Sequence, residues 1–252
     1  NFAIPEVRAH RLALVAEVCA RYDVDGFEWD FTRHAGHHFP DIETGRPALT
    51  DYMREARRVL KDIGERRGRP VEFCIRVPGT PERCWEIGLD LETWIQEGVI
   101  DIVSPAPIWD SATDLPFDAF VAMAKETDCR IYGCITEEVG PGEDRPSPAS
   151  ALRAGALNAW RQGIDGIYLF NFHHPTMYMI DDSEVLSQLG DPATLMFKDK
   201  QYAVTGSHAE AVKDPRERMI SGDEQLPVIL EAQPEGPGHT VRFSVGDDLK
   251  AA

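Results

Sequence analysis

The sequence lacks several features that would identify common classes of protein. No apolar run approaches the roughly 20 residues of a membrane-spanning helix. No Gly-rich phosphate-binding loop, GxSxG nucleophile elbow or HExxH zinc motif occurs anywhere in the chain. Any chemistry of the chain must therefore come from side chains that the fold brings together.

Basic residues are scarce relative to acidic ones. The 252-residue chain has 26 Lys and Arg against 43 Asp and Glu, a formal net charge of −17. Nucleic acids and anionic membranes attract basic surfaces, so we expect neither as a partner. The acidity does not identify a substrate, because solvated surface carboxylates produce the same composition.

Paired cysteines are also missing. The chain has five cysteines, an odd number, and none forms a CxxC pair. Cys19 falls on an apolar helix face, while Cys74 and Cys134 fall in predicted strands. We therefore predict buried free thiols and no disulfide framework.

What the sequence does contain is a regular alternation of helix and strand. The predicted strands are 27–31, 71–77, 99–104, 130–136 and 167–172, and the predicted helices are 5–22, 50–63, 89–97, 117–127 and 147–162. Thr50 is the predicted cap of the second helix, after a polar loop from Thr32. Such alternation with short connections predicts parallel strands joined by right-handed crossovers.

Two segments resemble each other: residues 25–30 (DGFEWD) and 165–170 (DGIYLF). This repetition favours a (β/α)₈ TIM barrel over a doubly wound sheet, which is the alternative. The chain would supply the last five βα units, so missing N-terminal strands or another chain would complete the fold. We assign 1–190 to the partial catalytic barrel. The C-terminal extension, 191–252, has predicted strands at 226–232 and 239–245, which either pack on the barrel or begin a β domain.

Acidic residues occur where a parallel barrel places its chemistry, at the carboxyl ends of strands. Strand alternation puts Glu28 and Asp30 on one face, with the aromatic residues between them on the helix-packed face. Glu137 follows the fourth strand. Glycosidic cleavage uses two carboxyl groups, so we predict Asp30, Glu137 and Glu28 as catalytic residues. The alternatives are an ion pair of Asp30 with Arg76 and a solvated loop carboxylate at Glu137.

Other polar and aromatic residues lie in the predicted loops of the same rim. Histidines there could hydrogen-bond sugar hydroxyls, transfer protons or bind a metal, although no metal site is predicted. Aromatic rings could stack against sugars, and arginine could bind anionic sugars or neutralise the acids. The predicted substrate-binding residues are Arg33, His34, His37, His38, Arg76, Trp109, Asn171, His173 and His174.

Four segments resemble a widespread group of glycosyl-hydrolase-like TIM barrels: residues 4–8 (IPEVR), 22–31 (YDVDGFEWDF), 88–94 (GLDLETW) and 99–101 (VID). The resemblance covers about residues 4–175. It implies that the Asp30 strand is the fourth of the barrel and that the Glu137 strand is the seventh. Chitinases of similar pattern carry an acid where this chain has Thr32, so chitinase chemistry is not expected.

These observations together predict a carbohydrate-active hydrolase. Its substrate would be an oligo- or polysaccharide, and no cofactor is predicted. One alternative is a metal-dependent hydrolase or lyase that uses the rim histidines. Another is a non-catalytic, carbohydrate-binding barrel, whose acids would be tied up in salt bridges.

Overall fold

The computed structural model describes residues 1–32, 39, 41–106, 113, 115–136, 149–170, 172, 183–203, 240–242 and 244–248. Within these residues the protein is α/β. The strands are β1 (Gly26–Asp30), β2 (Glu72–Pro78), β3 (Ile102–Ala106), β4 (Arg130–Ile135) and β5 (Gly166–Leu169). The helices are α1 (Pro5–Arg21), α2 (Ile42–Arg67), α3 (Pro81–Glu86), α4 (Leu91–Gln96), α5 (Phe117–Ala124), α6 (Ala149–Arg161), α7 (Leu186–Leu189) and α8 (Pro192–Leu195).

The five strands form one parallel sheet in the order β1-β2-β3-β4-β5. Consecutive strands are neighbours, and each connection contains at least one helix. Right-handed crossovers in one direction place successive helices on the same face of a sheet. The order never reverses among the described strands, so they lack the switch point of a doubly wound sheet. The predicted parallel α/β architecture is confirmed, and the order is compatible with part of a barrel.

One face of the sheet packs against the helices and forms the main core. Alternate residues of β2, Phe73, Ile75 and Val77, are fully buried there. On β1, Phe27 and Trp29 pack against the same core, as the alternation predicted. We call this helix-packed face the convex face.

The sheet is strongly curved toward its other, concave face. Tyr168 on β5 donates a hydrogen bond to Glu28 on β1 over 3.0 Å, although three strands lie between them. In a flat sheet with strands about 4.8 Å apart, β1 and β5 would be separated by about 19 Å. Side chains of this length meet only when the two outer strands bend toward each other.

Aspartates fix the amino ends of the strands. The Asp101 carboxylate accepts the backbone N–H of Phe73 over 2.7 Å, and the Asp165 carboxylate accepts that of Ile131 over 2.8 Å. Each aspartate precedes its own strand and bonds to the strand before it. Asp25, which precedes β1, instead pairs with Arg69. The contact explains the aspartate of the second Asp-Gly segment, Asp165, but not that of the first, Asp25.

The predicted long loop from Thr32 to Thr50 is wrong in its second half. Helix α2 begins at Ile42, and the Asp41 side chain caps it by accepting the Glu43 N–H over 3.2 Å. Pro47 lies inside the helix, where it cannot donate to the Glu43 carbonyl and its ring crowds that carbonyl. Thr50 is no cap: its hydroxyl accepts the buried indole N–H of Trp94 over 2.9 Å.

The third strand also extends further than predicted. Its predicted range was 99–104, with Pro105 as a terminator, but β3 continues through Pro105 to Ala106. The pairing of β3 with β4 covers only Ile102 and Val103. Pro105 therefore lies beyond that ladder, and its missing N–H leaves no bond to β4 unmade.

The C-terminal segment differs from the prediction where it is described. Residues 240–242, 244 and 245, within the predicted strand 239–245, are not in a strand, and 226–232 lies outside the described residues. Side chains of α6 bind this backbone instead: Asn158 donates to the Ser244 carbonyl and Arg161 to that of Gly246. Val245 stays partly exposed, so its apolar side chain is not buried against a sheet.

All five cysteines are free thiols, and four of them are buried. Burial raises the pKa of the Cys134 thiol to about 12 and that of Cys129 likewise to about 12. Free thiols in place of disulfides are confirmed. Of the helices in the described ranges, none is both long enough and apolar enough to cross a membrane.

Candidate active site on the concave face

The concave face differs in chemistry from the helix-packed one. Alternate strand positions place polar and ionisable side chains there, together with the aromatic residue that follows β5. On this face lie Glu28, Asp30, Cys74, Arg76, Ser104, Tyr132, Cys134, Tyr168 and Phe170. The two acids predicted on β1 therefore face away from the helices.

Asp30 forms an ion pair with Arg76 on the neighbouring strand. The Arg76 Nη1 atom lies 3.1 Å from one Asp30 oxygen and 3.3 Å from the other. The Thr32 backbone N–H donates to Asp30 over 2.8 Å, and the Thr32 hydroxyl also contacts both partners. Arg76 is 2% exposed, so its charge is compensated inside the protein. The structure thus contains the ion pair with Arg76 that was the alternative interpretation of Asp30.

Further groups surround the Arg76 guanidinium. Its carbon lies 3.7 Å from the centre of the Phe170 ring, an arrangement typical of a cation–π contact. The Cys134 thiol lies near Arg76, whose charge partly offsets the effect of burial on the thiol pKa. Residues from β1, β2, β4 and the end of β5 therefore meet at one buried arginine, and this fixes the position of the Asp30 carboxylate.

Glu28 lies in a different environment, two residues earlier on β1. Its side chain is accessible to solvent, yet it lies inside the curve of the sheet and accepts the Tyr168 hydroxyl over 3.0 Å. Desolvation raises the pKa of Glu28, and the charge of Asp30 raises it further. The Tyr168 hydrogen bond and the Arg76 charge oppose this shift. The pKa of Tyr168 is also raised, mainly by burial and next by the Glu28 charge.

The two acids have complementary properties. Asp30 is paired with a buried cation, whereas Glu28 is accessible and has a raised pKa. A carboxyl group whose pKa is shifted upward can hold and release a proton closer to neutral pH, as general acid–base chemistry requires. The arrangement suits proton transfer at Glu28 beside a fixed negative charge at Asp30.

Three of the predicted site residues, Glu28, Asp30 and Arg76, are brought together on the concave face. The other predicted residues lie outside the described ones, so the Asp30–Glu137 separation is not described. They are Glu137, Arg33, His34, His37, His38, Trp109, Asn171, His173 and His174. Their roles stay predictions.

Tyr168 and Phe170 were missed as site residues, although a signal for them exists. When residues 25–30 are aligned with 165–170, Tyr168 corresponds to Glu28 and Phe170 to Asp30. Equivalent positions in the two repeats therefore face each other across the concave face. Applying strand alternation to the second repeat as well as the first would have identified both.

Within the described part of the chain, no group of three His, Cys, Asp or Glu residues could hold a metal ion. The rim histidines lie outside that part. Compared with known proteins, the chain matches no protein-family model, and no curated sequence is significantly similar to it.

Proposed function

We propose that this chain belongs to a glycoside-hydrolase-like enzyme built on a (β/α)₈ barrel. Two observations support the barrel: the sequential order of five parallel strands and the curvature that joins Glu28 to Tyr168. A barrel of this type carries its active site at the carboxyl ends of its strands. Asp30 is the last residue of β1, at that end.

The observation that carries the proposed activity is the pair of unlike carboxyl groups on β1. Glycosidic cleavage needs one carboxyl group that protonates the leaving oxygen and another that acts as nucleophile or activates water. Glu28 is accessible and its pKa is raised, which suits a proton donor. Asp30, fixed by Arg76 and Thr32, supplies a negative charge near a developing oxocarbenium ion. Glu137 is the proposed second reacting carboxyl group.

The test is hydrolysis of a panel of oligosaccharides and aryl glycosides by the unaltered protein and by Glu28→Gln and Glu137→Gln. We expect each substitution to lower kcat by roughly 10²- to 10⁴-fold, the usual contribution of a general acid or base. Glu72→Gln is the matched control. Glu72 is at the amino end of β2 and pairs with Arg130 there, so activity should be retained.

The proposal fails if the unaltered protein hydrolyses no member of the panel. It also fails if Glu72→Gln and Glu28→Gln reduce kcat equally, because the loss would then follow from general damage to the sheet.

One observation favours a second candidate, a carbohydrate-binding barrel without catalysis. Asp30, the acid nearest the carboxyl end of β1, is already engaged by Arg76 and Thr32. Such a barrel would bind oligosaccharides, measurable by calorimetry, but release no reducing sugar. Glu28→Gln would then leave the binding constant nearly unchanged.

A further inference from the structure

The hydrogen bond between Tyr168 and Glu28 connects the two outermost strands of the described sheet. The Tyr168 hydroxyl donates to Glu28 Oε1 over 3.0 Å, and the two residues are 140 positions apart in the chain. Tyr168 is itself partly buried on β5. A partly buried phenol is a fixed donor, because the packing around its ring restricts its two side-chain torsions.

The other groups that face Glu28 do not fix its carboxylate in this way. Asp30 repels it, and Arg76 attracts it while pairing with Asp30. The thiols of Cys74 and Cys134 face the same region, and burial raises the pKa of each to about 12. Among the described residues, Tyr168 is the side chain that donates a hydrogen bond to Glu28.

We propose that Tyr168 is a positioning residue, which holds the Glu28 carboxyl group in one orientation on the concave face. The expected effect of this positioning on catalysis rests on the proposed function. A glutamate on a strand has three rotatable side-chain bonds, and an accessible one samples several rotamers. One hydrogen bond from the far side of the curved sheet selects the orientation in which Glu28 reaches a ligand in the concavity.

The test uses Tyr168→Phe, which removes the hydroxyl and keeps the ring. Loss of the donor removes an interaction that favours ionised Glu28, so the pKa of Glu28 should rise. Titration of ¹³C-labelled glutamate by NMR, with Glu28→Gln identifying the resonance, measures this without any substrate. On a hydrolysed glycoside we expect kcat to fall roughly 10- to 100-fold, as for loss of one charge-assisted bond, with little change in KM. The limb of the pH–rate profile that belongs to Glu28 should move to higher pH.

Tyr132→Phe is the matched control. Tyr132 also lies on the concave face, but its hydroxyl is 3.5 Å from Arg130 at the amino end of β4. This variant should leave the Glu28 titration and the pH–rate profile unchanged.

The inference is overturned if Glu28 titrates identically in Tyr168→Phe and in the unaltered protein, or if Tyr132→Phe shifts it equally. A failure of the proposed function is a separate result: no hydrolysis by the unaltered protein, whatever the titration shows. If the pH-profile limb and the NMR titration move together, both the inference and the role of Glu28 are supported.

Discussion

The two faces of the sheet share the same five strands but differ in almost every physical property. On β2, Phe73 and Ile75 are fully buried among helix side chains, while Cys74 between them and Arg76 after Ile75 face the concavity. On β1, Trp29 packs against the core, and Glu28 and Asp30 on either side of it do not. Stability of the convex face comes from apolar area removed from water. The concave face is held by pairing of charges and hydroxyls.

Along a single strand, residues that stabilise the fold therefore alternate with residues of the candidate site. Substitutions on the convex face should change stability without a specific effect on Glu28. Substitutions on the concave face should change charge and protonation. The stability that they cost should depend on whether a charged partner is left unpaired.

Phe73→Ala should be the most destabilising of these changes. Phe73 is 0% exposed, and its removal leaves a cavity between β2 and the helices, at a cost of about 4 kcal/mol. Phe197→Ala is the same substitution at a residue that is 88% exposed, and it should change stability by less than about 0.5 kcal/mol. Urea unfolding followed by circular dichroism measures both. Equal losses would mean that the convex face is not the main core.

Arg76→Met tests whether the concave face is held by charge pairing. It leaves the Asp30 carboxylate without its buried partner, and we expect a loss of about 3 kcal/mol. Arg54→Met is the control, since Arg54 makes a bidentate ion pair with Glu97 at the surface, and its loss should be much smaller.

The double variant Arg76→Met with Asp30→Asn sharpens the result. It removes both charges and should recover most of the lost stability, because the cost lies in the unpaired carboxylate. If Arg76→Met alone is no more harmful than Arg54→Met, the pairing does not hold the concave face. A double variant no more stable than Arg76→Met would contradict the charge explanation and indicate lost packing on Phe170.

Much of the fold could be predicted from local pattern. Strand alternation predicted which residues of β1 face the helices, and the Asp-Gly segments predicted where β1 and β5 begin. The start of α2 was missed because Gly45 and Pro47 disfavour a helix locally. Packing overrides this: a Cβ at Gly45 would lie 2.2 Å from the Phe39 ring, so the ring packs directly against the helix backbone.

The candidate site was less predictable because it depends on contacts between distant strands. Glu28 and Asp30 follow from alternation on one strand. That Asp30 pairs with Arg76 needs the register of β1 with β2, in which these two residues are partners. That Tyr168 reaches Glu28 needs the curvature of the whole sheet, which no local pattern specifies.

Glu28→Gln should have the smallest effect on stability and a distinctive dependence on pH. The pKa of Glu28 is raised in the folded protein above its ordinary value of 4.5, chiefly by desolvation. The folded state therefore binds the proton more tightly than the unfolded state. The unaltered protein loses this contribution as pH rises from about 4 through the raised pKa, whereas glutamine does not titrate. Relative to the unaltered protein, Glu28→Gln should gain stability toward neutral pH. The gain should stay under about 1 kcal/mol, because the side chain is accessible and solvent screens its charge.

Glu97→Gln provides the opposite case. Arg54 lowers the pKa of Glu97 through a hydrogen bond and its charge, so that carboxylate stabilises the fold once ionised. The Glu97 variant should therefore lose stability, relative to the unaltered protein, over the same rise in pH. Differences in urea midpoint between about pH 4 and pH 7 measure both slopes. Slopes of the same sign would contradict the assignment of Glu28 to a desolvated concave site. Opposite slopes would show that ionised Glu28 lowers the stability of the folded protein toward neutral pH. An acid with a purely structural role is not expected to do so.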